Sequence, residues 1–109
     1  MIYLASPYTS PNPQVMEQRF EQACAAAAQL MRAGEVVYSP IVHCHPIAVR
    51  HELPRHFEYW QQFDQEMINH SNKLVVLKID GWETSKGVTA EIEYAIYRGI
   101  PVEYTEALA

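Results

Sequence analysis

The chain has 109 residues, 49% of them hydrophobic and 19% charged, which is the length and composition of one globular domain rather than of a disordered or collagen-like chain. Thirteen acidic against eight basic residues leave a formal net charge of −5 and no basic run, so the footprint that binds nucleic acid through its phosphates is missing. No apolar stretch approaches the ~20 residues that span a bilayer, and Met1-Ile2-Tyr3-Leu4-Ala5-Ser6-Pro7 lacks the basic start and apolar core of a signal peptide. These features predict a cytoplasmic protein without membrane contact, in which Cys24 and Cys44 are reduced thiols.

Met1 to Ala5 reads as a short buried strand. The Pro-rich stretch Ser6 to Pro13 is a loop, because proline blocks both helix and ladder. A helix follows from about Pro13 to Ala33, with Met16, Phe20, Cys24 (beside Ala23), Ala27 and Met31 as its apolar stripe and Gly34 as its stop. Glu35 to Tyr38 is a second strand, ended by Ser39-Pro40. The segment Ile41 to Pro54 reads as irregular and holds His43, His45 and His51. A second long helix is predicted from about Arg55 to Ser71. Lys73 to Ile79 is the clearest strand, apolar enough for burial on both faces. After the loop Asp80 to Ser85, a third helix runs from about Lys86 to Arg98, with Val88, Ile92, Ala95 and Ile96 facing the core. Pro101 to Tyr104 is a last strand.

Strands alternating with helices predict an α/β sandwich around a parallel sheet, in a single domain spanning residues 1–109. Ligands of such sheets bind beyond the carboxyl ends of the strands, which singles out the loops after Ala5, Tyr38 and Ile79. Those loops contain no G-x-G-x-x-G, no phosphate-binding G-x-x-x-x-G-K-[ST] and no G-x-S-x-G elbow. A dinucleotide cofactor, a P-loop and an α/β-hydrolase triad are therefore not expected.

The informative stretch is Ser85-Lys86-Gly87-Val88-Thr89-Ala90-Glu91. Ser85 and Gly87 open a helix directly after a buried strand, where free backbone N–H groups and the helix dipole favour an anion. Glu91 lies in the second turn, either facing the cavity as a rigid carboxylate suited to attack a sugar anomeric carbon or solvated on a surface helix. Asp64 shares a helix face with Phe57, Trp60, Met67 and Ile68. An acid in an apolar stripe has a raised pKa and suits acid–base work, unless a loop backbone bonds it. Tyr3 in the first strand can orient a carboxylate at the sheet edge or simply be packed. Trp82, after Gly81, can stack on a nucleobase or anchor a subunit contact.

His43 and His45 are two apart. In an extended segment they point the same way, either to meet a metal ion, to line a pocket as neutral hydrogen-bonding groups, or to pack between Pro40 and Pro46. No second His/Cys pair has ligand spacing, so no metal is expected.

Ile2-Tyr3-Leu4-Ala5-Ser6-Pro7-Tyr8, Ser39-Pro40-Ile41, Trp60 with Asp64, and Ser85-x-Gly87-x-x-x-Glu91, in that order, resemble the nucleoside 2-deoxyribosyltransferase-like superfamily. Ser39 to Pro46 and Gly81-Trp82 resemble in particular its short members of the DUF1937 type. The resemblance implies a three-layer sandwich with a flavodoxin-like (Rossmann-like) parallel sheet of about four to five strands. It also implies a Glu91 nucleophile that attacks C1′ of a (deoxy)nucleoside or its 5′-monophosphate and holds the sugar covalently until a base or water accepts it. Tyr3 falls where the family's tyrosine orients that nucleophile, and Asp64 where a family aspartate contacts substrate. Ser85 with Gly87 tilts the expectation toward a phosphorylated substrate. Ser6, Pro7, His43, His45, Trp60 and Trp82 complete the expected substrate site, with no cofactor.

Two readings compete with glycosidic chemistry: a non-catalytic nucleotide-binding or sensing module on the same fold, and a metal-dependent protein using His43 and His45. A homo-oligomer, dimer or tetramer, is expected because the chain is small and Trp60, Trp82 and several tyrosines supply interface aromatics.

Overall fold

In a computed structural model of the chain, which describes residues 1–106, strands and helices alternate from the first residues onward. They are β1 (Ile2–Ala5), α1 (Pro13–Arg32), β2 (Val37–Tyr38), α2 (Pro40–His51), α3 (Phe57–Asn69), β3 (Lys73–Lys78), α4 (Lys86–Tyr97) and β4 (Val102–Glu106). The four strands form one parallel sheet in the order β2-β1-β3-β4. The helices flank it in a flavodoxin-like three-layer sandwich. The winding reverses between β1 and β3, and such a reversal opens a crevice at the carboxyl ends of those strands.

Alternation along the central strands divides the core in two. Ile2, Leu4, Val75, Leu77 and Ile79 face α1, where Ala26 and Ala27 let the helix close against them. Tyr3, Ala5, Leu74 and Val76 face Ile68 of α3 and Val88 and Ala95 of α4. Asn12 caps α1 by accepting from the Gln14 N–H at 2.9 Å, and Pro13 at the first helical position donates nothing the helix needs.

Three expectations change. The segment from Ile41 is not irregular but the helix α2. The Ser39 hydroxyl accepts from the Val42 N–H at 3.2 Å, Pro40 has the fixed φ of a first helical residue, and left-handed Glu52 (φ 55°) ends the helix. On α1 the buried stripe runs through Ala23, Ala26 and Ala27 to Leu30, leaving Met31 one residue and about 100° of rotation beyond it and 55% exposed. On α4 the same rotation exposes Ile96 and buries Glu91, which takes the core position three residues after Val88. Among the described residues, no helix is long and apolar enough to cross a membrane.

Candidate active site

A cavity of about 390 Å³ opens where the loops after β1, β2 and β3 meet. Ser6, Tyr8 and Thr9 come from the β1–α1 loop, and Pro40, Cys44 and His45 from α2. Arg55 to Glu58, Trp60 and Asp64 come from α3 and its approach. Gly81, Thr84, Ser85, Lys86, Gly87 and Glu91 come from the β3–α4 loop and α4. The switch-point rule thus finds the crevice, and α2 forms the wall that the sequence left irregular.

Glu91 is 6% exposed, and its Oε2 accepts a hydrogen bond from the fully buried Tyr3 hydroxyl. Tyr3 can do this because odd-numbered residues of β1 face α3 and α4, and the second turn of α4 passes over them. Burial pushes the Glu91 carboxyl up to about 8; the Asp64 charge adds to this, while the Tyr3 hydrogen bond opposes it. Asp64, 8% exposed, is pushed up to about 7 by burial. Burial, reinforced by the charges of Glu91 and Asp64, raises the Tyr3 phenol well above its ordinary value, so it remains a donor. Burial makes both carboxyls of the cavity reluctant to ionise near neutral pH, and because the Asp64 charge acts on Glu91 their proton release belongs to the pair. The Tyr3 bond favours negative charge on Glu91. Asp64 Oδ1 has no partner among the described residues and is free for a ligand.

The other expected site residues separate into two groups. Ser6 lies on the wall, its hydroxyl buried without a partner among the described residues. Trp60 lies there too, its indole N–H donating to the Pro54 carbonyl at 2.8 Å. Ser85 caps α4 by accepting from the Val88 N–H at 3.2 Å. A Cβ added at Gly87 would stand 3.4 Å from the Phe57 ring, so glycine keeps this stretch of wall recessed. His45 is buried on the wall, with Nε2 2.7 Å from Glu17 Oε2 and Nδ1 bonded to the Tyr8 hydroxyl.

Pro7, His43 and Trp82 do not line the cavity. Pro7 is fully buried in the core, and Trp82 packs on Tyr104 with ring centres 5.7 Å apart. His43 is exposed and stacks on Phe63 at 6.2 Å. It parts from His45 because two residues along a helix turn the side chain by about 200°. The shared direction expected of an extended segment therefore does not exist. Among the described residues, no group of three or more His, Cys, Asp and Glu side chains is placed to hold a metal ion.

Sequence reasoning missed Tyr8, Glu17, Arg19 and Arg55. Arg19 of α1 reaches across the cavity rim and donates to the carbonyls of Tyr8 (3.3 Å), Thr9 (3.0 Å) and Asp80 (3.4 Å), tying the loops after β1 and β3 together. Gly81 makes room for it: φ is +94°, and a Cβ there would stand 2.5 Å from the Arg19 Nη2. A glycine after the central strand, followed by a tryptophan that is not needed at the site, was the one available signal.

No curated protein matches the chain. The model of a family described as a domain of unknown function, DUF1937, matches residues 1–107, nearly the whole chain. The chain, with its parallel sheet and its Tyr3–Glu91–Asp64 cavity, belongs to the DUF1937 family.

Proposed function

We propose that the protein cleaves or transfers the N-glycosidic bond of a (deoxy)nucleoside or nucleoside 5′-monophosphate, through a covalent glycosyl-Glu91 intermediate. The observation that carries this reading is the buried Glu91 carboxylate, fixed by the Tyr3 hydroxyl in a cavity that it shares with Asp64. The order of these residues in the chain, which resembles that of the nucleoside 2-deoxyribosyltransferase-like superfamily, supports it.

The chemistry follows from one shared proton. The productive form holds it on Asp64 and leaves Glu91 ionised. Glu91 attacks C1′ as the bond from C1′ to the base nitrogen breaks; the base leaves with the electron pair and takes the Asp64 proton. A second base or water then attacks C1′ from the face the first base left, expelling the Glu91 carboxylate and returning a proton to Asp64. Two inversions give net retention. Burial serves both roles: it leaves the nucleophile poorly solvated and keeps a carboxylic acid protonated near neutral pH.

The test is chromatographic detection of free base from ribo- and deoxynucleosides and their 5′-monophosphates, with and without an acceptor base. Wild type releases base, and Glu91→Gln, which keeps the shape of the side chain, loses at least about a thousandfold of that rate with its circular dichroism unchanged. Release that persists undiminished in Glu91→Gln refutes the nucleophile. Saturable nucleotide binding with no release by wild type transfers the reading to a binding or sensing module.

A further inference from the structure

The cavity gathers cations out of proportion to an acidic chain. Three of the eight Lys and Arg residues line it, Arg19, Arg55 and Lys86, but only three of the thirteen acids, Glu58, Asp64 and Glu91. Two of the three cations are already engaged. Arg19 is bonded to three carbonyls, and Lys86 is paired with Glu58. Arg55 makes no salt bridge among the described residues. Its carbonyl accepts from the Thr9 hydroxyl at 3.1 Å, which pins the backbone at the cavity while leaving the guanidinium to face inward beside the Tyr8 hydroxyl.

The Tyr8 hydroxyl is itself fixed from behind. The Glu17 carboxylate can only accept, so His45 Nε2, 2.7 Å away, carries a proton. In the neutral ring Nδ1 is then an acceptor and takes the Tyr8 proton. The Phe20 ring lies 4.7 Å from the imidazole and holds its plane. With its proton directed at His45, the Tyr8 oxygen presents lone pairs to Arg55. A hydrogen-bonded chain thus runs from Tyr8 to His45 to Glu17, from the cavity to the surface, with the Arg55 charge acting on the Tyr8 hydroxyl at its inner end. Ser6 Oγ, buried and without a partner among the described residues, is a further donor on the same wall.

We infer that Arg55 receives the phosphoryl group of a phosphomonoester substrate, with the Tyr8–His45–Glu17 chain as the device that positions its guanidinium. A planar fork of donors suits phosphate oxygens, and a substrate anion needs such a cation in a cavity that already holds Asp64 and Glu91. This inference rests on the proposed glycosidic reading for the rest of the substrate, but not for the anion site itself.

The experiment is calorimetric binding of 2′-deoxyadenosine, 2′-deoxycytidine, their 5′-monophosphates and inorganic phosphate to wild type, Arg55→Gln, Arg55→Lys and Tyr8→Phe, with thermal melts of each. Wild type binds the monophosphates at least about tenfold tighter than the nucleosides. Arg55→Gln brings that ratio close to one and leaves nucleoside affinity within about twofold, while Arg55→Lys, a point charge without the fork, gives an intermediate ratio. Tyr8→Phe lowers the ratio roughly three- to tenfold at unchanged nucleoside affinity, whereas a merely structural role would weaken both ligands alike. A wild-type ratio near one, a ratio untouched by Arg55→Gln and Arg55→Lys, or no binding by any phosphate-bearing probe overturns the inference. Phosphate binding that requires Arg55, with no nucleotide bound and no base released, upholds the anion site and removes the glycosidic reading.

Discussion

Asp64→Asn separates the price of a buried carboxyl from its use. Unfolded, Asp64 loses its proton near the ordinary 3.8; folded, burial holds the proton up to about 7. Across that window the folded state binds more protons than the unfolded one, so its stability falls as pH rises, by about 1.36 kcal/mol per pH unit. The whole window amounts to a loss on the order of 4 kcal/mol at pH 7 and above. The stretch between pH 5 and pH 7 accounts for about 2.7 kcal/mol of it. Asparagine does not titrate, so this decline disappears, and Glu91, relieved of the neighbouring charge that raises its pKa, ionises more easily. The new amide's hydrogen bonding adds a constant that does not vary with pH, which makes the change in the gap between variant and wild type the informative quantity. Urea unfolding followed by circular dichroism at pH 5, 6, 7 and 8 measures it. The variant gains about 3 kcal/mol on wild type between the ends of that range, or roughly 1–2 M in urea midpoint. A gap that stays constant within about 0.5 kcal/mol would refute the raised Asp64 pKa and with it the shared proton.

Tyr3→Phe removes the hydrogen bond that favours charge on Glu91. Its carboxyl then rises further, so less of the one-proton pair has Glu91 ionised: base release falls about ten- to a hundredfold at pH 7, and the descending limb of the kcat/KM–pH profile moves to higher pH. The wild-type profile itself is a bell centred between about 7 and about 8, the range in which the carboxyl pair holds one proton. Gly81→Ala strains a backbone at φ +94° and pushes back the Arg19 tip; thermal melts register a loss of about 1–2 kcal/mol. Ser85→Ala removes the cap on the Val88 N–H and costs about 1 kcal/mol by the same assay.

The sheet and three of the helices were legible because their signals are long and periodic. The apolar run Lys73 to Ile79 announces a central strand, and Ser85 with Gly87 marks the start of α4. The helix α2 was not legible because Pro46 interrupts it and His43, His45 and His51 blur its apolar face. Its start, Ser39-Pro40, carries the same cap-then-proline signature as Asn12-Pro13 and was the readable part. At the site, spacing left Glu91 open between cavity and solvent, because its helix-wheel position lies at the margin of the apolar face; the burial three residues after Val88 is decided by how α4 is rotated against the sheet. The Tyr8–His45–Glu17 chain was not legible, because it joins a loop and two helices through side chains whose approach no local spacing records. The exposure of Met31 and Ile96 came from one step of helical rotation, which an apolar stripe drawn from sequence alone resolves poorly.

The strand order has a kinetic meaning. β1 begins the chain yet lies inside the sheet, so Tyr3 must wait for Leu74 as a sheet neighbour and for Glu91, 88 positions away, as a hydrogen-bond acceptor. None of the parallel pairings is a local hairpin, and each requires a long loop to close before any ladder bond compensates for it. A folding intermediate lacking β3 and α4 would hold the phenol ring of Tyr3 without its carboxylate and half a cavity. The Tyr3–Glu91 pair is therefore a property of the completed topology, and its formation reports that α4 has docked.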